Sequence, residues 1–339
     1  MKVNELRVKL KDKKKAEIEQ LFVEVYKQIP KKVREGKEID QLINNPDAFK
    51  KARKNTKQST KNLDFTNVDK EVRLFIKNAY DQNYFTPNRM IPKKERSNWR
   101  FTAKRLVNQL MELSGQEEHV KACTSLMEEL YKLFCYASGH YVFTSQEPFY
   151  TINSSQRQFF KQVVMMKKRV DEPREWIHDS LRLMLDNGTD HDTPSEFLSE
   201  ALLEALTNAP LKEEAVKIAD NLLQEKEATV RKINVHHKEA ENYDKEDYIN
   251  HLVETIFMIQ SALGEYQAAV RYFNKHYIES ITREIRLYVL LRLVMRYQRV
   301  EDWMSVYEKA IKRRINPRDS LKKAYEHIKR TGEFPRFIG

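Results

Sequence analysis

Glycine is scarce, with seven in 339 residues, about 2% where globular chains average about 7%. Little material is left for glycine-rich phosphate loops or tight β-hairpin turns. Gly36, Gly115, Gly139, Gly188, Gly264 and Gly332 fall between apolar-periodic segments, where a helix end accepts a residue at positive φ. Only two cysteines occur, Cys123 and Cys135. Both lie on one expected helix, about 18 Å apart at 1.5 Å per residue and beyond disulfide reach. Free buried thiols in a reducing compartment are expected. No uncharged apolar run approaches the roughly 20 residues that cross a bilayer. Met1 to Leu10 alternates charged with apolar residues, unlike the apolar core of a secretory leader. The expectation is therefore a cytoplasmic protein with no membrane span. Catalytic signatures are also missing: there is no Gly-x-Ser-x-Gly elbow, no Walker loop and no Gly-x-Gly-x-x-Gly. A non-enzymatic chain without a cofactor is expected.

The residues that are present suit a folded chain with a heavily solvated exterior, 40% hydrophobic and 33% charged. The length exceeds one compact domain and implies two domains or a stack that grows lengthwise. Net charge is +11, unevenly spread. Residues 1–110 hold 28 basic and 14 acidic side chains, a net +14; residues 111–280 hold 18 and 29, a net −11; residues 281–339 hold 15 and 7, a net +8. Such polarity either marks an electrostatic partner for one end or is satisfied within the fold or a head-to-tail oligomer.

Helical spacing dominates. Ile18, Leu21, Phe22, Val25 and Ile29 form one stripe between Asp12, an available N-cap, and Pro30. A short helix is expected at 32–43. Phe49 to Thr66 is polar and basic and reads as a linker, with a boundary near residue 60. Periodicity resumes at Val68 to Tyr80, and Tyr84 to Asn98 is broken by Pro87 and Pro92. Further helices are expected near 100–114, 116–138, 154–170, 173–186, 194–208, 211–234, 244–263, 265–277, 281–298, 300–314 and 317–330. Asp192-Thr193-Pro194 and Asn316-Pro317 read as a cap followed by an early proline. Tyr141-Val142-Phe143-Thr144 is the one fragment with strand character. Helix is expected over more than about 65% of residues, as stacked antiparallel hairpins: an all-α solenoid or compact helical-repeat array behind a small basic amino-terminal module at 1–60.

In Gly264-Glu265-Tyr266-Gln267-Ala268-Ala269-Val270-Arg271-Tyr272-Phe273, the glycine, Tyr266, Ala269 and Phe273 stand where a tetratricopeptide repeat places its turn, aromatic, small residue and aromatic. Val300 to Ala310, with Trp303, looks like a second copy, although Val306 replaces the small residue. Residues 244–315 thus resemble tetratricopeptide-type repeats, which implies helical-hairpin stacking and core positions for Tyr266, Phe273 and Trp303. The amino-terminal pattern from Leu6-Arg7 through Leu21-Phe22 to Tyr26-Lys27 resembles the start of some uncharacterised bacterial helical proteins, a likeness that carries no activity.

Three constellations carry candidate chemistry. Tyr84, Phe85, Trp99 and Phe101 interleave with Arg89, Lys93, Lys94, Arg96, Arg100, Lys104 and Arg105. Cations meet phosphates and aromatic faces stack on bases, so this segment suits nucleic acid. In the alternative, the aromatics anchor a proline-containing loop to the core. Arg292, Arg296 and Arg299 share a stripe that suits an anion, or they form a solvated face opposite Leu287, Leu290 and Val294. For a metal, Glu175 and His178 make the one Glu-x-x-His, with His191 as a third candidate, and His236-His237 with Glu239 or His251 with Glu254 are further pairs. The leading expectation is a scaffold presenting a helical surface to a protein partner. Nucleic-acid binding by the basic third comes second and a metal-dependent enzyme third.

Overall fold

A computed structural model of the chain describes residues 3–11, 13–30, 33–34, 39–45, 63–145, 147–233, 239–278 and 282–337. These residues form seventeen helices and no strand, and 76% of them are helical. It divides into two units, Met1–Asp64 and Phe65–Gly339. No described helix is long and apolar enough to cross a membrane.

In the first unit, α1 spans Val3–Lys11, α2 Lys15–Gln28 and α3 Ile39–Asn44. The stripe on α2 is amphipathic, yet no residue of the helix is buried. Leu21, Phe22 and Val25 stay exposed, and Tyr26 Oη donates to Asp40 on α3. Asp12, expected to cap α2, and most of the 49–66 linker lie outside the described residues.

The second unit begins with α4 (Phe65–Tyr80), starting inside the stretch expected to be linker because the Phe65 ring stacks on His119 at 4.7 Å. A short α5 (Lys93–Arg96) precedes α6 (Trp99–Leu113), α7 (Glu117–Gly139), α8 (Pro148–Thr151), α9 (Gln156–Val170) and α10 (Pro173–Leu185). Then come α11 (Ser195–Ala205), α12 (Ala209–Ile233), α13 (Glu239–Ala262), α14 (Tyr266–His276), α15 (Arg283–Tyr297), α16 (Val300–Lys312) and α17 (Asp319–Thr331). Each packs chiefly on near neighbours in sequence: α4 and α6 on α7, α7 on α9, α9 on α10 and α11, α12 on α13, α13 on α14, α15 on α16 and α16 on α17. Short connections between antiparallel helices produce this arrangement.

Local chemistry sets the helix ends. Ser155 Oγ accepts from Gln158 N at 3.2 Å while Gln158 Oε1 accepts from Ser155 N at 3.3 Å, a capping box that starts α9. Thr282 Oγ1 accepts from Ile285 N at 3.2 Å and starts α15. Gly264 and Gly332 adopt φ of 81° and 72°, the latter closing α17, a conformation in which a Cβ is strained. Two expected starts are corrected. Pro194 itself occupies the N-cap of α11 and Arg318 that of α17, with no side-chain cap at either, so Asp192 and Asn316 play no capping part. The Tyr141–Thr144 fragment forms no strand; Val142 and Phe143 plug the core instead.

Aromatic contacts fill the interior. The Trp99 and Phe143 rings stack with centroids 3.9 Å apart, and Phe75 and Tyr84 meet Phe143 at 6.0 and 5.8 Å. Cys123 and Cys135 are free and buried. Burial pushes their thiols up to about 11 and about 12, so both stay protonated at neutral pH. Gln156, fully buried, donates to Gly188 O at 3.0 Å and accepts from Asp190 N at 2.7 Å, which ties the turn before α11 to α9.

Candidate functional site

A groove of about 700 Å³ lies between α6 and α9, both of which pack on α7. On α6 the positions Lys104, Val107, Asn108 and Met111 recur at i, i+3, i+4 and i+7, one face of a helix. On α9 Gln158, Lys161, Gln162, Met165 and Arg169 do the same. The turn at Asn153, held at φ 60°, and Ser154 close one end. From Lys104 to Ser114 the groove runs about 15 Å, the length of a ten-residue helix.

Its chemistry is one-signed. Lys104, Lys161 and Arg169 line it, and no carboxylate does. Lys161 Nζ is bound to Glu204 on α11. Lys104 and Arg169 have no acidic partner among the described residues. Met111 and Met165 lie 36% and 43% exposed on opposite walls, offering polarizable, adaptable apolar surface. The groove therefore presents cations and methionines to whatever enters it. Of its residues, only Lys104 was singled out from the sequence. The readable signal was Met165, an apolar residue on the polar face of α9, opposite the buried Phe159, Phe160, Val163 and Val164.

The aromatic-basic segment divides between core and solvent. Tyr84 and Trp99 are 7% and 1% exposed and belong to the core, so neither ring is open to a base; they anchor the proline-containing loop, and burial also pushes the Tyr84 phenol up to about 12. Arg96 donates to Ile91 O at 3.0 Å and Asn88 O at 3.1 Å, bracing that loop. Arg105 pairs with Glu71 at 2.7 Å, and Arg100 lies over the Phe101 ring. Arg89, Lys93 and Lys94 remain solvent-facing. Residues 46–62, the lysine-rich remainder of the basic third, lie outside the described residues.

The carboxy-terminal arginines are engaged within the chain. Glu196, Glu200 and Glu204 repeat at i, i+4, i+8 along α11. Arg296 bonds Glu196 at 2.6 Å and Glu200 at 2.7 Å, and Arg292 stands 3.9 Å from Glu196. From the other side, Arg157 bonds Glu204 at 2.6 Å. Tyr297 Oη adds a 2.9 Å bond to Glu200. Arg299 bonds the buried Asp302 at 2.9 Å and lies over the half-buried Tyr266. The sequence pattern suited an external anion, but these three arginines hold their own chain's carboxylates. Replacing Glu200 by Gln breaks the middle of the network. The expected loss is about 1 kcal/mol, read as a lower melting temperature whose deficit shrinks in high salt.

Glu175 and His178 line a second cup of about 560 Å³ between α10 and α12, with Asp171, Asp179 and Glu225. His178 Nδ1 lies 3.3 Å from Asp179 Oδ1. His191 is in the turn before α11 and not in this cup. Among the described residues no three His, Cys, Asp or Glu side chains are grouped to hold one ion; His236 and His237 fall outside them.

One pair missed in the sequence looks catalytic: Ser199 Oγ lies 3.0 Å from His251 Nε2. Ser199 also meets Thr255 Oγ1 at 2.8 Å and is 2% exposed, so the hydroxyl joins α11 to α13 instead of facing solvent. Burial pushes His251 down to about 4. Glu254, one turn on, is held up at about 7 by burial and then by Glu196, with Arg292 opposing and Asp247 adding. The two act oppositely on stability. Glu254 keeps a proton in the fold that the unfolded chain releases near 4.5, so its contribution is present at low pH and lost as pH rises through about 7. His251 contributes above 6.5 and loses its contribution as pH falls toward about 4. Glu254→Gln is therefore expected to match the wild type near pH 4.5 and exceed it near pH 8 by on the order of 1–3 kcal/mol. Melting curves at the two pH values check this; parallel shifts at both would contradict it.

In comparisons with known proteins, no family model, curated protein or solved structure matches this chain.

Proposed function

We propose that this protein is a non-enzymatic interaction scaffold whose groove between α6 and α9 receives an acidic amphipathic helix of a partner protein. The observation that carries this reading is the lining: three cations, no carboxylate and two exposed methionines over a length of about three helical turns. A helix laid in a groove is recognised by apolar anchors at i, i+3/i+4 and i+7. Here the methionines supply the apolar seat, while Lys104 and Arg169 favour carboxylates and disfavour a basic segment. The tetratricopeptide-like hairpins at 244–315 fit such a scaffold, and the free buried thiols suit the cytoplasm. The test is whether acidic amphipathic peptides bind the full chain and whether reversing Lys104 and Arg169 ends that binding. Binding that instead followed single-stranded RNA or DNA, through exposed Arg89, Lys93 and Lys94, would favour the nucleic-acid reading.

A further inference from the structure

A second cation-rich concavity lies far along the chain from the groove. It is about 460 Å³ and is formed where α14, α15 and α16 meet. Each helix contributes one face at i, i+3, i+4 and i+7: residues 267–274 on α14, 283–290 on α15 and 306–313 on α16 and its C-cap Arg313. Val270, Leu287, Leu290 and Val306 make an apolar floor. Five cations line the cup, Arg271, Arg283, Arg286, Lys309 and Arg313, and no carboxylate does. Arg286 is held in place by donating to the carbonyls of Phe273 and Asn274 at the end of α14.

The acidic side chains nearest in sequence are committed elsewhere. Glu284, beside Arg283, takes the fork of Arg318 at 2.7 and 2.8 Å. Asp302 is held by Arg299 at 2.9 Å, and Glu308, beside Lys309, accepts from Tyr325 at 3.4 Å. The α14 sequence has no acidic residue at all. Arg271, Arg283, Lys309 and Arg313 thus have no ion-pair partner among the described residues, whereas the arginines around α11 all do. Crowding five cations without counter-charge is repulsive, and a bound anion relieves it. Four of the five are arginines, whose planar forks match phosphate oxygens. A floor of aliphatic side chains adds room for an uncharged body, and the volume falls in the range of small-ligand sites, about 300–1,000 Å³.

We propose that this cup binds a soluble organic polyphosphate, such as a nucleoside di- or triphosphate, with its phosphates on the arginine rim and its uncharged body on the apolar floor. This assignment is independent of the α6–α9 groove. The test titrates the full chain calorimetrically with ATP and, separately, with inorganic tripolyphosphate at near-physiological salt. Both are expected to bind, ATP more tightly because only it covers the floor. The double variant Arg271→Gln/Arg313→Gln should weaken ATP by about tenfold or more per arginine. Arg89→Gln/Lys93→Gln, with the same loss of charge on another surface, should leave the affinity unchanged. Circular dichroism verifies that the variants fold, and Lys309→Gln, at an exposed position, serves if the double variant does not. Absence of wild-type binding at millimolar ATP would overturn the proposal, as would equal weakening by the control pair. Equal affinity for ATP and tripolyphosphate would overturn the role given to the floor.

Discussion

Replacing Trp99 by Ala is expected to destabilise the Phe65–Gly339 unit by about 3–5 kcal/mol, the range for deleting a buried large aromatic side chain. The indole is 1% exposed and stacks on Phe143. Phe143 in turn touches Phe75 and Tyr84, so the loss removes the member that joins α6 to the loop after α7. Phe101, two residues on, is 60% exposed, and Phe101→Ala should stay within about 0.5 kcal/mol of wild type. Denaturant unfolding of the two variants checks the pair. A Trp99→Ala protein as stable as Phe101→Ala would mean that the ring does not sit in the core.

The second large effect is on binding. Lys104→Glu together with Arg169→Glu turns two cations on opposite walls of the groove into carboxylates, both at exposed positions on formed helices. Each change exchanges an attraction to an acidic partner for a repulsion. The combined expectation is an affinity for acidic amphipathic peptides lower by on the order of a hundredfold or more, at unchanged melting temperature. Met111→Ala with Met165→Ala should weaken the same peptides without removing their salt dependence, since the apolar seat and the charges act separately. Fluorescence anisotropy with a labelled peptide of alternating Glu and Leu turns reads both.

Local patterns carried most of the fold. From Arg100 onward the expected helices match those found, because caps, prolines and apolar spacing act within a turn or two of each end. Pro194 and Pro317, each expected to be the first helical residue, stand one and two positions before it, a difference that depends on cap geometry and not on composition. The site was far less legible. Trp99 shares a stripe with Ala103, Leu106, Leu110 and Leu113, all buried, and that spacing marks it as core. Tyr84 lies in a loop, where no period says which ring turns inward. The stripe Glu196, Glu200, Glu204 and the pair Arg292, Arg296 are each plain in the sequence, but their meeting across about a hundred residues is a product of packing. The groove and the cup have the same origin: each is made of helix faces that become one surface only when packing brings them together.

Selection of about twelve-residue peptides from a random library against the full chain tests the central claim most directly. The account predicts that enriched sequences combine carboxylates with apolar residues at helical spacing, and that they lose binding to the Lys104→Glu/Arg169→Glu protein while retaining it for Arg89→Gln/Lys93→Gln. Enrichment of basic or neutral sequences, or of acidic ones indifferent to the reversal at Lys104 and Arg169, would contradict it.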